Sequence, residues 1–541
     1  MIKSLILISF SFVSLISFGQ VIDVKVEKSE VFKDEYRETE ILASQDDVNG
    51  GVLILRSYNG NTISPTNGYY FEHYDSNLKL VKDFQLETKL PVYQKNNTAL
   101  GYFFIDNEIH IADILFDLKE KAIVCSITTV SFNDFKSSKK ELFKIPRDEM
   151  KKLGLFALSP EFRLNAFSPY ENRHKSSAIK MSVNKDKSAF AIAIDFFSEK
   201  AETIKLFVFD SKMNLNFNKV FTKDINDDNF ELHNLEISND GDIVYLTSKV
   251  YTDESKAKEE GGKYVFEITS LTKNTEKFKV VDVENHFIQT LKTVVLHDKI
   301  VLVGFYSDKN DNRFKGVSYF QFKSENLELL YKKFNPFSNQ FIIDKYGVKR
   351  PKELKNILVK EVLVLKNDEV ILNAEEIYKE DMYYDKFDHG KFNNNGKFNN
   401  TSRDSKIVYN FNDIISVKLN EDGNLLWSRN INKLQNAVLD KIPYISYSSL
   451  LINDTNYFFL NASEKIKNLD NNRIEFVDKN IKKSDLYVVR VTEDGTFNYQ
   501  IILKEDDNEV PFMVANGIKM SNTIIFPGRK GSKKQLLKIS F

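Results

Sequence analysis

The sequence predicts an all-β fold, a β-propeller of four-stranded antiparallel blades. Three observations lead there. The first is the stretch NEDGNLLWSRN (420–430), where an Asp-Gly pair separates two apolar runs. Glycine accepts the positive φ that a tight hairpin turn demands, so the phrase reads as strand, turn, strand. The second is recurrence. YYFEHYDSNLKLVKDFQL (69–86), LFVFDSKMNLNFNKVF (206–221), YFQFKSENLELLYKKF (319–334) and DLYVVRVTEDGTFNYQII (485–502) repeat the phrase with Asp, Asn or Glu in the turn. The third is another strand pair that accompanies it. Examples are LEISNDGDIVYLTSKVY (235–251), VVLHDKIVLVGFYSD (294–308), LVLKNDEVILNAEEIY (363–378) and LLINDTNYFFLNAS (450–463). Together the two phrases make one four-stranded unit. Recurrence at about 50–75 residues is the pattern of a propeller.

The units fall at 37–88, 97–145, 176–222, 231–281, 288–335, 356–432 and 445–504. The last piece, 510–541, shows three strands: FMVANGIKM, NTIIFPG and KQLLKISF. The N-terminal stretch VIDVKVEKSEVF (21–32) supplies a spare strand. Placed as the outer strand of the last blade, it closes the ring and protects sheet edges that would template aggregation. This makes eight blades, or seven if one unit is not a proper blade. Trp427, the single tryptophan, falls just past a turn on an outer strand. There an aromatic is expected to pack between neighbouring sheets.

Composition agrees with a packed β protein: 44 Phe and 24 Tyr against 10 Pro. Aromatic residues favour strands. Net charge is −1, from 76 basic and 77 acidic residues, so no basic surface points to nucleic acid. Cys125 is the only cysteine, which excludes an intramolecular disulfide. Residues 1–19, MIKSLILISFSFVSLISFG, read as a signal peptide cut before Gln20. A basic start, an apolar run and small residues at Ser17 and Gly19 carry that reading. Residues 20–541 form the mature propeller domain, with no transmembrane helix expected in it.

The stretch NDIISVKLNEDGNLLWSRNINKLQ (412–435) resembles a passage common in uncharacterised exported β-propeller-like proteins of Bacteroidetes. The resemblance implies a fold and an envelope location, periplasmic or outer-membrane-associated, with the extracellular side as the alternative. It brings no catalytic residues. The same stretch resembles a blade of quinoprotein-type propellers, but the other blades lack that tryptophan. No cofactor is implied.

No catalytic constellation stands out. The seven histidines, His73, His110, His174, His233, His286, His297 and His389, show no zinc-ligand spacing, so no metal site is expected. SDKNDNRF (307–314) offers Asp308, Asn310 and Asn312 at alternate positions, but Arg313 replaces the glycine of a calcium loop and Tyr319 its glutamate. NEDGNLLW and TEDGTFNY match a sialidase Asp-box only in part. GxSxG, P-loop and GxGxxG motifs are absent. GRKGSKK (528–534) reads as a charged turn guarding an edge.

Two segments interrupt the repeat. KEDMYYDKFDHGKFNNNGKFNNTSRDSK (379–406) is read as an inserted loop in the sixth unit, with GKFNN duplicated. Its aromatics Tyr383, Tyr384, Phe387, Phe392 and Phe398 are the candidate partner-binding residues. A linker excursion, 146–177, joins units two and three, and DEMKKLGLFAL within it reads as a short helix. The function expected is an exported, non-enzymatic binding or scaffold module for an envelope protein or a glycan. The alternatives are a carbohydrate-active enzyme with channel carboxylates and an outer-membrane β-barrel. The barrel is suggested by Leu537, Ile539 and Phe541 alternating at the C-terminus.

Overall fold

Four strands joined by hairpins, then four more, describe most of this chain. The computed structural model describes residues 21–33, 38–47, 49–59, 67–154, 179–197, 201–251, 264–309, 311, 313–348, 354–386, 402–478 and 483–541. Among them the strands group into eight sheets. In chain order these occupy 38–87, 94–146, 179–223, 230–281, 286–336, 357–431, 448–503 and 518–540. Within a sheet, strands follow sequence order and pair antiparallel, except that in the sixth Lys433–Ala437 also pairs in parallel with Ile474–Val477. The fifth sheet departs from the pattern. Its first strand is broken into His286–Ile288 and Lys292–Val295, both paired with Lys299–Asp308. The sixth sheet gains a short extra strand, Lys433–Ala437, beside Tyr409–Phe411.

The eighth sheet takes its fourth strand from the other end of the chain. Lys25–Lys28 pairs with Lys533–Ser540, Val26 opposite Ile539. Thr523–Lys530 and the two-residue strand Ile518–Lys519 complete that sheet.

Burial explains why the strands read as they do. Ala189–Phe196, AFAIAIDF, is buried almost throughout, because apolar side chains on both of its faces meet neighbouring sheets. The fourth strand of the same sheet, Leu215–Lys223, buries only Phe217 and Phe221. Each sheet shares an apolar cluster with the next. One more cluster joins Ile525 and Leu536 of the eighth sheet to Val52 and Ile54 of the first. The first strands of the eighth sheet and of sheets one to six lie side by side in succession. This is the arrangement of a β-propeller, in which sheet faces pack on one another and first strands gather inside. Separate four-stranded sheets are not one closed strand ladder. The outer-membrane barrel alternative is therefore corrected: the C-terminal strand with Leu537 and Ile539 is an inner member of the eighth sheet, and both residues are buried against other sheets.

The repeated polar turns have one design. Asp75 Oδ1 accepts from the backbone N–H of Asn77 and Lys79, and Asn420 Oδ1 from those of Asp422 and Asn424. Such side-chain-to-backbone bonds fix the tight turn. The fourth turn residue is left-handed each time: Leu78, Met213, Leu327, Gly423 and Gly495. At Gly423 and Gly495 an aromatic of the preceding sheet occupies the space a Cβ would need, Tyr319 and Trp427 respectively. Tyr319 Oη donates to the Glu421 carbonyl at 3.1 Å, and Trp427 Nε1 to the Glu493 carbonyl at 2.8 Å. The tryptophan thus pins the sixth sheet to the turn of the seventh.

Among the described residues two α-helices lie between sheets. Arg147–Leu153 follows the second sheet and ends at Gly154, and residues 155–177 of the excursion lie outside the described residues. Asn339–Tyr346 is capped by Ser338 and ends at Gly347 in a left-handed conformation. Residues 1–20, read as the export signal, also lie outside the described residues.

Candidate functional site

Antiparallel order sorts the connections onto two faces. Links from first to second strand and from third to fourth share one face. Links from second to third strand, and from sheet to sheet, share the other. The first kind are tight turns such as 75–79, 420–424 and 492–496. The second kind include the long spans from Leu153 to Ile179, Tyr251 to Tyr264, Pro336 to Ile357, and Ala462 to Asp485. Long connections held on a rigid scaffold are where recognition concentrates.

The inserted segment belongs to this second face. Its ends are not a loop. Val370–Lys386 and Ser402–Leu419 pair as one extended hairpin, with Tyr383 opposite Ser405 and Tyr384 opposite Asp404. The expectation of a loop beginning at 379 is corrected to that extent: strand pairing continues to Lys386 and Ser402. Tyr383 and Tyr384 are placed by their backbone only. Phe387, Phe392 and Phe398 lie outside the described residues.

A second group of residues sits on the innermost strands of sheets three, four and five. The strand Phe230–Ile237, FELHNLEI, carries a bulge between Leu232 and Asn234. A bulge lets two residues oppose one and re-aims the side chains beyond it. Here it keeps Leu232 and Leu235 both in the apolar cluster with sheet three. Glu231, His233, Asn234 and Glu236 are left partly exposed.

Glu231 is the hub. Tyr251 Oη donates to Glu231 Oε2 at 3.2 Å, and His233 Nδ1 lies 3.6 Å from Oε1. Burial alone would raise the Glu231 carboxyl. The histidine, the Lys249 charge and the tyrosine outweigh it and hold the group at about 2. Burial pushes His233 down to about 4, so its imidazole is neutral at pH 7. The Lys249 ammonium lies 4.7 Å from the centre of the Tyr264 ring. Tyr251 and Tyr264 meet edge to face, and Phe287 lies 6.0 Å from Tyr264. Toward the other end of the strand, Ser182 Oγ donates to Glu236 Oε2 at 3.3 Å. Burial pushes Glu236 up to about 7, against that bond and the Lys292 charge. Lys180 and Lys292 are both lowered, chiefly by burial.

A third group, between sheets six and seven, is closed to solvent. Lys433 Nζ meets Glu375 Oε1 at 2.7 Å, both side chains fully buried. Lys433 also donates to the Phe411 carbonyl and to Gln435 Oε1. Ser446, at φ 72°, donates to Glu375 Oε2 and accepts from Lys360 Nζ at 2.7 Å. A serine between a lysine and a glutamate has the parts of an activated nucleophile. No substrate reaches it, because Ser446 is fully buried. The group pins two sheets together. Beside it Lys345 bridges Glu376 and Asp413 at 2.9 and 2.7 Å.

Sequence reasoning missed both inner groups. The buried pair leaves a trace as charges on strand faces that are otherwise buried, at Glu375 and Lys433, whereas Glu231 falls on an ordinary polar position of its strand. Two further histidines among the described residues have local roles. His73 Nε2 lies 2.6 Å from Asp47 Oδ2, and His110 stacks on Phe103. Asp308 pairs with Lys315. Among the described residues no group of three His, Cys, Asp or Glu is placed to hold a metal.

No family model matches the chain, and no curated protein does. Solved structures do. The β-propeller domain of the Trilobed protease from Pyrococcus furiosus is 10% identical, covering 85% of this chain and 97% of that one, with a TM-score of 0.34. The polysaccharide lyase Uly1 is 9% identical, covering 93% and 90%, with a TM-score of 0.36. Pyrococcus horikoshii acylaminoacyl peptidase is 11% identical with a TM-score of 0.33, and the chain spans 49% of its length. At these identities the likeness is one of fold and carries no activity.

Proposed function

We propose that the chain is an exported, eight-bladed propeller that binds a protein or glycan partner in the bacterial cell envelope. Its ring is closed by the pairing of Lys25–Lys28 with Lys533–Ser540. The observation that carries the binding reading is the asymmetry of the two faces: side-chain-locked turns on one, long connections and the extended 370–419 hairpin on the other. The apolar start of the chain and its single cysteine support export without disulfides. The test is a pull-down of the tagged protein from gently solubilised envelopes of its own host. A variant in which a two-residue Asn-Gly turn joins Lys386 to Ser402 is run beside it. A stoichiometric partner, lost with the variant, is expected. A partner retained by the variant removes the hairpin from the interface, and a protein recovered alone refutes the scaffold reading.

A second reading, a carbohydrate-active enzyme, is supported by the Tyr251–Glu231–His233 chain. A neutral imidazole beside a carboxylate is suited to proton transfer. Glu231 and Glu236 do not suit two-carboxylate hydrolysis. Five residues along a strand at about 3.3 Å each exceed the roughly 5–10 Å such pairs need, even after a bulge. A panel of polysaccharides assayed with wild type and His233→Ala tests it. Activity lost in the variant supports the reading, and an inert wild type removes it.

A further inference from the structure

In sheet six the hairpin of the second and third strands outruns the strands beside it. Val370–Lys386 and Ser402–Leu419 stay paired out to Lys386 and Ser402. On one edge the first strand, Ile357–Val364, stops opposite Glu376, and the Asn356 carbonyl takes the next backbone N–H, from Ile377. On the other edge Leu425–Ile431 stops opposite Ile414, and Lys433–Ala437 reaches only to Tyr409. From Lys379 to Lys386 and from Ser402 to Val408 no third strand lies alongside among the described residues. At about 3.3 Å per residue this makes an arm of roughly 25 Å. In sheet three, by contrast, the second strand ends at Phe196, just past Ile194, where the first strand begins opposite it.

A two-stranded ribbon is marginal in water by itself, and its open edge offers a row of backbone N–H and C=O groups that another extended chain matches. Lys379 and Glu380, where the edge opens, are exposed. The order of charges along Tyr378–Lys386, YKEDMYYDK, narrows the choice of that chain. Laid antiparallel against itself about Met382, the edge sets Lys379 opposite Asp385 of the partner subunit, and a twofold axis repeats the pair. Glu380 and Asp381 then fall opposite tyrosine positions, and no like charges meet. Other registers lose this match. Moving the axis half a residue toward Lys386 sets Lys379 against Lys386 of the partner subunit, and a full residue either way sets two aspartates opposite one another. Like charges directly opposite destabilise a strand pair, and opposite charges support it.

We propose that the Tyr378–Lys386 edge pairs with the same edge of a second copy of this chain, giving a twofold dimer with a four-stranded sheet between the two propellers. The backbone supplies the ladder, and the two Lys379–Asp385 pairs fix its register. This contact is independent of any envelope partner and goes beyond the binding reading.

The experiment is sedimentation equilibrium of the full mature chain, of Lys379→Glu, of Asp385→Lys, and of an equimolar mixture of the two variants. Expected is a wild-type dimer at roughly 10 μM and at least about tenfold weaker association of each variant alone, since like charges then meet twice. In the mixture each substituted position meets an opposite charge again, so association of wild-type strength is expected to return. Only a contact between copies gives that rescue. A substitution that merely disturbed its own hairpin, where Asp385 lies opposite Arg403, stays impaired on mixing. Melting midpoints of both variants are expected to match wild type, because the two positions lie beyond the three-stranded part of sheet six. The variant with Asn-Gly joining Lys386 to Ser402 keeps the edge and is expected to dimerise, which separates this contact from partner binding. A monomeric wild type, undiminished association of the single variants, or no rescue on mixing overturns the proposal.

Discussion

Replacing Lys433 with methionine tests the claim that a charge pair without access to water braces the sixth sheet and, through Ser446, ties it to the start of the seventh. The lysine and Glu375 meet at 2.7 Å with both side chains fully buried. Methionine keeps the stem and removes the ammonium. Glu375 then retains Ser446, and Lys360 at 3.6 Å. The Phe411 carbonyl and Gln435 Oε1 each lose a donor. Breaking one side of a buried pair costs about 3–5 kcal/mol. The remaining lysine favours the lower end; Gln435 Oε1 keeps the Ser446 backbone N–H, and the two lost donations add roughly 1 kcal/mol. A loss of about 4 kcal/mol is a large share of the roughly 5–15 kcal/mol that holds a domain. Urea unfolding reads it through Trp427, which sits at the same sheet junction. Lys433→Met/Glu375→Gln should recover part of the loss, because the uncompensated charge is gone. A single-variant loss under about 1 kcal/mol, or a double variant worse than the sum of the singles, would refute the reasoning.

Three further outcomes are expected. Glu236 is pushed up to about 7 from 4.5, so between those values the folded protein holds a proton that the unfolded chain has lost. Stability therefore falls as pH rises through that window, and Glu236→Gln should gain on the order of 2 kcal/mol at pH 8 and nothing at pH 4; equal melting shifts at both pH values would contradict this. Gly495→Ala forces a Cβ to 2.8 Å from Trp427 Cγ at φ +81°, and should cost roughly 2–4 kcal/mol with a shifted tryptophan emission; unchanged emission and midpoint would show that the turn does not seat the indole. Cys125 is buried and its thiol is pushed well above the ordinary value by burial. It should resist aromatic disulfide reagents until the protein is unfolded, and rapid labelling of the native chain would place it elsewhere.

Much of the architecture is legible without coordinates, because the information is local. Turns such as DSNLK and NEDGN need a side-chain acceptor and a left-handed fourth residue, and both are written in consecutive residues. Strand alternation follows from the two-residue period of the pleat. The sixth hairpin shows where local reading stops. KEDMYYDK is polar enough to read as loop, yet it pairs to Lys386, because its partner strand supplies the hydrogen bonds that composition does not forecast. The broken first strand of sheet five was likewise invisible, since it depends on how one strand meets Lys299–Asp308.

The sequence alone determined the class of fold, the repeat and the turn chemistry, each fixed by residues within a few positions of one another. The tertiary structure decided which charges meet. Lys433 reaches Glu375 across 58 positions, and Tyr251 reaches Glu231 across 20. An ion pair is a property of distance in space, and a charged letter reads the same whether it faces water or is buried. That is why the pinned sheets and the candidate site emerged only when the sheets were packed.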